Sequence, residues 1–193
     1  MHGFAKRGLA LAAAASGLVL GTAGIAAADA TATGETAHSG GVNSGNVVNS
    51  PLAAPVNFCG NQALVTALKN VDEGSICTIG PGEGALAQGS SEYSGGVGSG
   101  NVANTAVSMP LNVCGNQSGT IVVKDKDKSQ TCTIGTNSDE PGAIATGASD
   151  HSGGLLSGNV ANTAVSMPLN VCGNQSDVIG FRNTVDGTTC TIG

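Results

Sequence analysis

Six cysteines are the residues of this chain whose type and spacing could do chemistry most directly. They form three pairs, Cys59 with Cys77, Cys114 with Cys132, and Cys172 with Cys190, and the members of each pair are eighteen residues apart. Zinc sites need clustered thiolates and redox pairs need Cys-x-x-Cys, and the chain has neither pattern. Six cysteines allow fifteen connectivities, but each pair lies inside one copy of an internal repeat. This placement favours three structural disulfides within the repeats, each contributing on the order of 3 kcal/mol to stability.

The other reactive residues form no recognisable constellation. His38 and His151 occupy the same repeat position, but the middle copy has Tyr93 there, which argues against a metal ligand. The run 124–128 alternates Lys and Asp, as a solvated loop or hairpin tip would; a calcium site at its two aspartates is the alternative, which the three lysines oppose. No nucleophile elbow, phosphate loop or catalytic carboxylate pair occurs. The sequence therefore predicts no enzyme, no cofactor and no metal site.

A 43-residue block occurs three times, at 38–80, 93–135 and 151–193, and each copy ends in Cys-Thr-Ile-Gly. Residues Ser99–Ser118 and Ser157–Ser176 are identical in sequence. Before the first cysteine of a copy, apolar residues alternate with polar ones, which predicts a half-buried strand. In the second copy, one parity holds Ala103, Thr105, Val107, Met109, Leu111 and Val113, and the other holds Asn104, Ser108 and Asn112.

Prolines and glycines mark where these strands begin and end. Pro55, Pro110 and Pro168 recur inside the alternating stretch, so that strand either lies at a sheet edge or bends there. Gly-Asn pairs before and after it predict turns with positive φ. A second short strand follows the first cysteine, and a third lies at Cys-Thr-Ile-Gly. With only three aromatic residues after residue 28, a block of this size cannot bury enough apolar area to fold unaided. We expect an all-β fold of three small disulfide-closed β modules joined by flexible linkers.

The remaining segments complete the predicted organisation of the chain. Met1–Ala28 has a basic start, an apolar run and a small-residue site, as a secretory signal peptide does; a retained membrane anchor is the alternative. Cleavage would leave five basic against thirteen acidic residues, so nucleic acid is not an expected partner. No second apolar stretch could span a membrane. Residues 29–37, 81–92 and 136–150 are rich in Gly, Ala, Ser and acidic residues, which predicts linkers that let the modules move independently.

Each repeat resembles the chaplin domain. The resemblance rests on Ser-Gly-Asn-Val at the strand start, a proline shortly before Asn-[Val/Phe]-Cys-Gly-Asn, and a second cysteine eighteen residues later. It implies a secreted protein of filamentous, spore-forming bacteria, surface activity, amyloid-like assembly and a hydrophobic coat on aerial hyphae or spores. It also implies a location in the extracellular space, the cell wall or the hyphal or spore surface, with roles that include cell adhesion. The chain has no recognisable C-terminal wall-sorting signal, so release is expected rather than covalent attachment.

Two functions fit these features. The first is a structural, surface-active coat protein that assembles through β-strands with itself and with other chaplin-like proteins. The candidate assembly residues are Leu64, Val65, Ile121, Val122, Val123, Val178, Ile179 and Phe181. The second is a soluble secreted binding module whose tethered repeats gain avidity for a cell-wall polymer or for other coat proteins. The charged segments between the cysteines and the acidic linkers favour the second function. The apolar strand face on a disulfide-closed module and the resemblance favour the first, which is the function we expect.

Overall fold

The computed structural model of the protein describes residues 25–26, 29–68, 70–72, 74–80, 84–123, 125–127, 129–135 and 142–192. Apart from Ile25 and Ala26, the predicted signal peptide lies outside the described residues, and so do several residues of the predicted linkers. β-strands joined by turns and bends are the regular structure of the described residues, and none of these residues forms a helix that is long and apolar enough to cross a membrane. The strands fall into three sets with the same order, and each set forms one rung of a stack.

The first rung follows a short initial strand, β1. The strand β1 spans Ile25–Ala26. The strands of the first rung are β2 (Ala30–Ala37), β3 (Gly41–Val42), β4 (Val47–Asn49), β5 (Leu52–Ala53), β6 (Val56–Cys59), β7 (Gln62–Ala67), β8 (Asn70–Asp72) and β9 (Ile76–Ile79).

The second rung repeats this order with one continuous strand in place of β4 and β5. Its strands are β10 (Ala85–Glu92), β11 (Gly96–Val97), β12 (Val102–Ser108), β13 (Leu111–Cys114), β14 (Gln117–Val123), β15 (Asp125–Asp127) and β16 (Gln130–Ile134).

The third rung has the same arrangement as the second. Its strands are β17 (Ala143–Asp150), β18 (Gly154–Leu155), β19 (Val160–Ser166), β20 (Leu169–Cys172), β21 (Gln175–Phe181), β22 (Thr184–Val185) and β23 (Thr188–Ile192).

Equivalent strands of the three rungs pair with one another in parallel and in register. The second rung lies in the middle of every sheet, as in the order β17-β10-β2 and the order β20-β13-β6. Cys114 is the register partner of both Cys59 and Cys172, so equal repeat positions stack directly over one another. Parallel strands of one chain need long connections, and here each connection is a whole rung of 55 or 58 residues. The molecule is therefore a three-rung parallel β stack.

Within a rung the chain folds back so that two pairs of sheets face each other. The sheet of β2, β10 and β17 packs on the sheet of β4, β12 and β19, and small alanines such as Ala87 and Ala106 fill the space between them. The sheet of β6, β13 and β20 packs on that of β9, β16 and β23. A Cβ atom added at Gly89 would lie 2.9 Å from both the Asn104 Oδ1 and the Val102 Cγ1 atoms, so glycine permits the close approach of the first pair.

Three disulfides close the second pair of sheets. They join Cys59 to Cys77, Cys114 to Cys132 and Cys172 to Cys190, one in each rung. The cystines stack on one another along the molecule, and Cys77, Cys114 and Cys132 are fully buried. The predicted all-β fold with one disulfide closing each repeat is confirmed.

The turns and bends occur where the sequence predicted them. Gly100 and Gly115, which flank the strand pair β12–β13, have φ angles of +70° and +66°, and their counterparts in the other rungs are similar. The alternating stretch is broken at Met109–Pro110, between β12 and β13, so the recurring prolines mark a bend. The strands predicted after the first cysteine and at Cys-Thr-Ile-Gly correspond to β7, β14 and β21 and to β9, β16 and β23.

The segments between the repeats differ from the expectation of flexible linkers. Their described parts, Ala30–Ala37, Ala85–Glu92 and Ala143–Asp150, form eight-residue strands that pair in register across all three rungs. Composition suggested mobility because Ala, Gly, Ser and Thr carry no packing signal in a single copy. Small residues are what a tightly spaced pair of sheets requires, however, so these strands form half of the alanine interior. The rungs consequently stack as one body and do not behave as independently moving modules.

Candidate assembly and interfacial surface

The alternating strand turns its apolar parity outward. In β12, Val102, Asn104, Ala106 and Ser108 are buried, whereas Thr105 is exposed and Val107 is half-buried. Period-two patterning predicts a strand with two unlike faces, but the face that lies inward is set by the neighbouring sheet. The narrow interior accepts Ala, Ser and Asn and leaves no room for Met or Leu. The larger apolar side chains therefore lie on the outside.

The outward apolar residues stack into columns along the molecule. Val107 has Leu52 and Val165 as register partners, and Leu111 has Val56 and Leu169. Met109 and Met167 occupy equal positions in the second and third rungs, and both side chains are exposed. A soluble monomer rarely shows apolar side chains in contiguous rows, because such patches favour association or adsorption. This set of columns, which begins at Leu52 in the first rung, is called the apolar columns below.

A groove runs across the rungs beside these columns. One wall is the column of Phe58, Val113 and Val171, and a row of asparagines, Asn61, Asn116 and Asn174, lines the groove as well. Its volume is about 600 Å³, and most of the exposed lining is apolar. The groove thus extends the apolar surface past the bend at the prolines.

The predicted assembly residues lie in the sheet of β7, β14 and β21, where the structure places all of them in pairing strands. Unlike the other predicted assembly residues, Val122 of the middle rung is fully buried. Ile121 pairs with Ile179, and Val123 pairs with Phe181. The large side chains that this sheet exposes are Val65, Ile121, Val178, Ile179 and Phe181. The sheet forms a second apolar surface, and the charged run begins at its end, at β15.

Buried asparagines fill the interior in place of large apolar residues. Asn104 is 1% exposed; its Nδ2 atom donates to the Thr146 carbonyl oxygen at 2.7 Å and to Asn162 Oδ1 at 2.9 Å. Its own Oδ1 atom accepts from Asn49 Nδ2 at 2.9 Å. A row of this kind gives hydrogen bonds to amide groups that would otherwise be costly to bury. Asparagine rows between stacked strands are a feature of cross-β structures.

Two further asparagine rows lie nearer the surface. Asn101 Nδ2 donates to Asn46 Oδ1 at 3.0 Å, and Asn159 Nδ2 donates to Asn101 Oδ1 at 2.8 Å. The row of Asn61, Asn116 and Asn174 follows the same direction from rung to rung. These rows give the stack a direction, since each amide oxygen accepts from the rung that follows it.

The rings at the shared His and Tyr position stack in the same manner. The ring centroids of His38 and Tyr93 are 5.1 Å apart, and those of Tyr93 and His151 are 4.8 Å apart. All three residues have φ near +50°, at the corner that follows β2, β10 and β17. The rings therefore stabilise the alignment of neighbouring rungs. The sequence signal for this stack is an aromatic or imidazole ring at the same position of all three repeats.

The charged run of the second repeat lies at a corner of the rung. Its described part, Asp125–Asp127, is strand β15, and the Lys126 Nζ atom is 3.0 Å from the Asp186 Oδ2 atom of the third rung. Both side chains are about half exposed. Among the described residues, no group of three or more His, Cys, Asp or Glu side chains could hold a metal ion. The described part of the run contributes a strand and a surface ion pair.

The architecture and these surfaces define a class: a disulfide-closed structural repeat protein whose rungs stack as cross-β layers and expose apolar columns. The comparisons with known proteins agree with this class. The family model described as ChpA-C matches residues 23–78, 80–133 and 136–191, one match for each rung. The chain therefore belongs to the chaplin family, a family of secreted structural coat proteins.

Curated relatives are chaplins of Streptomyces coelicolor. Chaplin-H is 51% identical over 72 residues, which are 37% of this chain and 94% of Chaplin-H. Chaplin-F is 52% identical over 71 residues, which are 37% of this chain and 81% of that protein. Chaplin-B is 31% identical over 185 residues, which are 94% of this chain and 63% of Chaplin-B. No solved structure matches the chain.

Proposed function

We propose that this protein is a surface-active component of a hydrophobic coat on aerial hyphae or spores, and that it assembles through its β-strands with other chaplins. One observation carries the proposal: the strand patterning is turned inside out, so that the apolar columns face outward from a rigid polar and alanine interior. At an air–water boundary such columns leave water without any unfolding of the protein. The gain is roughly 25 cal/mol for each Å² of apolar surface removed from water.

The second apolar surface supports assembly. Its strands already pair in parallel and in register within the chain, which is the pairing that cross-β assemblies repeat between chains. The eight predicted assembly residues are proposed to contribute here, Val122 by filling the sheet interior and the others by packing at the surface. Other chaplins are the proposed partners because they share the repeat that stacks in this molecule.

The surface tension of the oxidised chain that begins at Asp29, without the predicted signal peptide, tests the proposal. The chain should lower it, and replacing the exposed Met109, Met167 and Leu169 and the half-buried Leu111 together by Gln should remove most of the effect. The matched control is Thr105→Gln with Thr163→Gln, since these threonines lie on the outward face of the preceding strands β12 and β19 and are already polar. The control should behave like the wild type. A wild-type chain that leaves surface tension unchanged would refute the proposal.

A further inference from the structure

The two ends of the stack differ, and the difference is visible in identical sequences. Val102 in β12 is 1% exposed, whereas its counterpart Val160 in β19 is 41% exposed. The same holds for the inward positions that follow: Asn162, Ala164 and Ser166 are exposed in the third rung, although their counterparts in the second rung are buried. The third-rung residues are exposed because no further rung covers them.

The first rung is better covered. Val47, the counterpart of Val102 and Val160, is 7% exposed although it lies in a terminal rung. β1 also pairs in parallel with β9, with Ile25 opposite Thr78 and Ala26 opposite Ile79, but β1 belongs to the predicted signal peptide and is not counted as cover. Within the described residues, no strand pairs on the outer edge of the third rung. The third rung is therefore the open end of the stack.

The open end presents groups suited to one more chaplin repeat. In both surface rows the amide oxygen of each asparagine accepts from the next rung, so Asn159 Oδ1 and Asn174 Oδ1 are oriented for the asparagines of a fourth rung. The main-chain ladder continues in the same way. Met167 N donates back to the Ser108 carbonyl oxygen at 2.9 Å, so by strand alternation the amides of Ala164 and Ser166 point outward. An incoming strand would pair with them.

We infer that the third rung templates the addition of one-repeat chaplins, so that this protein nucleates their assembly; the inference rests on the proposed function. The size of the partner follows from the comparisons, since 94% of Chaplin-H aligns with only 37% of this chain, about one rung. Several one-repeat chains must associate before the hydrogen bonds between their strands offset the entropy that the chains lose on assembly. This chain holds three rungs covalently, at the millimolar effective concentrations that tethering provides.

The experiment follows the assembly of Chaplin-H by thioflavin T fluorescence, with and without a few mole per cent of the oxidised three-rung chain that begins at Asp29. This chain should shorten the lag several-fold at this ratio. Ala164→Pro should abolish the shortening, because proline removes an outward donor of the third rung without removing a hydrogen bond inside the molecule. Val48→Pro is the matched control at the other end: the Val47 N atom donates to the second rung, so the Val48 amide points away from the stack. This control should still shorten the lag.

Circular dichroism and the surface-tension measurement on each variant show that the stack has folded. Should Ala164→Pro lose the strand signal, Asn159→Lys takes its place: it leaves the backbone intact, replaces an exposed amide of the open end by a charge, and should also abolish the shortening. An unchanged lag with wild-type protein that still lowers surface tension would overturn the templating inference and leave the proposed function standing. Equal loss in Ala164→Pro and Val48→Pro would overturn the assignment of the open end. Wild-type protein without surface activity would refute the proposed function itself.

Discussion

At the scale of single residues, the buried asparagines stabilise the interior, as large apolar side chains do in most protein cores. Asn104 alone takes part in three hydrogen bonds that link all three rungs and the facing sheet. Leaving buried polar groups unsatisfied costs about 1–3 kcal/mol for each group. The interior thus depends on amide geometry more than on apolar volume.

Asn104→Ala should accordingly lower the free energy of unfolding by about 1–3 kcal/mol, because the buried Asn49 amide of the first rung loses its partner and the bonds to Thr146 and Asn162 are lost as well. Denaturant unfolding of the oxidised protein measures this. The matched substitution Asn159→Ala removes an exposed asparagine of the terminal rung and should cost less than about 1 kcal/mol. Equal losses in the two variants would contradict the role assigned to the buried row.

A glycine pair tests the spacing of the sheets. Gly89→Ala places a Cβ atom 2.9 Å from the Asn104 Oδ1 atom and should destabilise the protein by about 1–3 kcal/mol through overpacking. Gly153→Ala is the control, since nothing lies within 4 Å of the added atom. Thermal unfolding followed by circular dichroism compares them. A melting temperature that falls as much for Gly153→Ala would show that lost backbone freedom, and not sheet spacing, sets the effect.

At the scale of elements, the strand order within a repeat could be predicted from the sequence, but the inward face could not. Alternation located β12 and β13 and the prolines located the bend. Alternation also suggested that the Met- and Leu-bearing parity was the one to bury. That choice depends on the distance to the facing sheet, which is set by residues such as Gly89 some fifteen positions earlier in the chain. The facing strands themselves lay in segments whose composition resembles that of linkers.

The disulfides should matter unequally along the stack. Replacing Cys114 and Cys132 together by Ser should cost about 2–4 kcal/mol, as for loops of this length, and should loosen the whole stack because the middle rung contacts both others. The same replacement at Cys172 and Cys190 should disturb the terminal rung and spare the first. Residue-resolved amide exchange in each variant distinguishes local from general loosening. Identical exchange patterns in the two variants would contradict the stacked arrangement.

At the scale of the whole molecule, the stack accounts for what three repeats do together. Avidity through independently moving modules needs flexible tethers, and the described parts of those tethers are strands. The sequence indicated three repeats and their closure, but it contained no signal that equal strands would pair with each other across 55 or 58 residues. That pairing arises because each rung exposes on its edge the same ladder that its neighbour needs. Repeat proteins generally gain stability from such neighbour contacts.

Amide exchange rates should therefore form a gradient along the stack. The amides of Asn162 and Ala164, which point outward from the third rung, should exchange rapidly, whereas those of Asn104 and Ala106 in the identical sequence of the second rung should be protected. NMR distinguishes the two copies, which mass spectrometry of identical peptides would not. The comparison has its own control, because sequence and local propensity are the same. Similar protection in both copies would contradict an uncovered third rung.

The outward face of β12 and β19 has one more consequence, for protein engineering. Thr105 and Thr163 are register partners on an exposed surface, so groups attached there would be held at the strand spacing of about 4.8 Å. The interior imposes the alignment and does not depend on what these positions carry. The stack could thus serve as a scaffold that displays dyes, metal-binding groups or sugars in a row, one strand spacing apart.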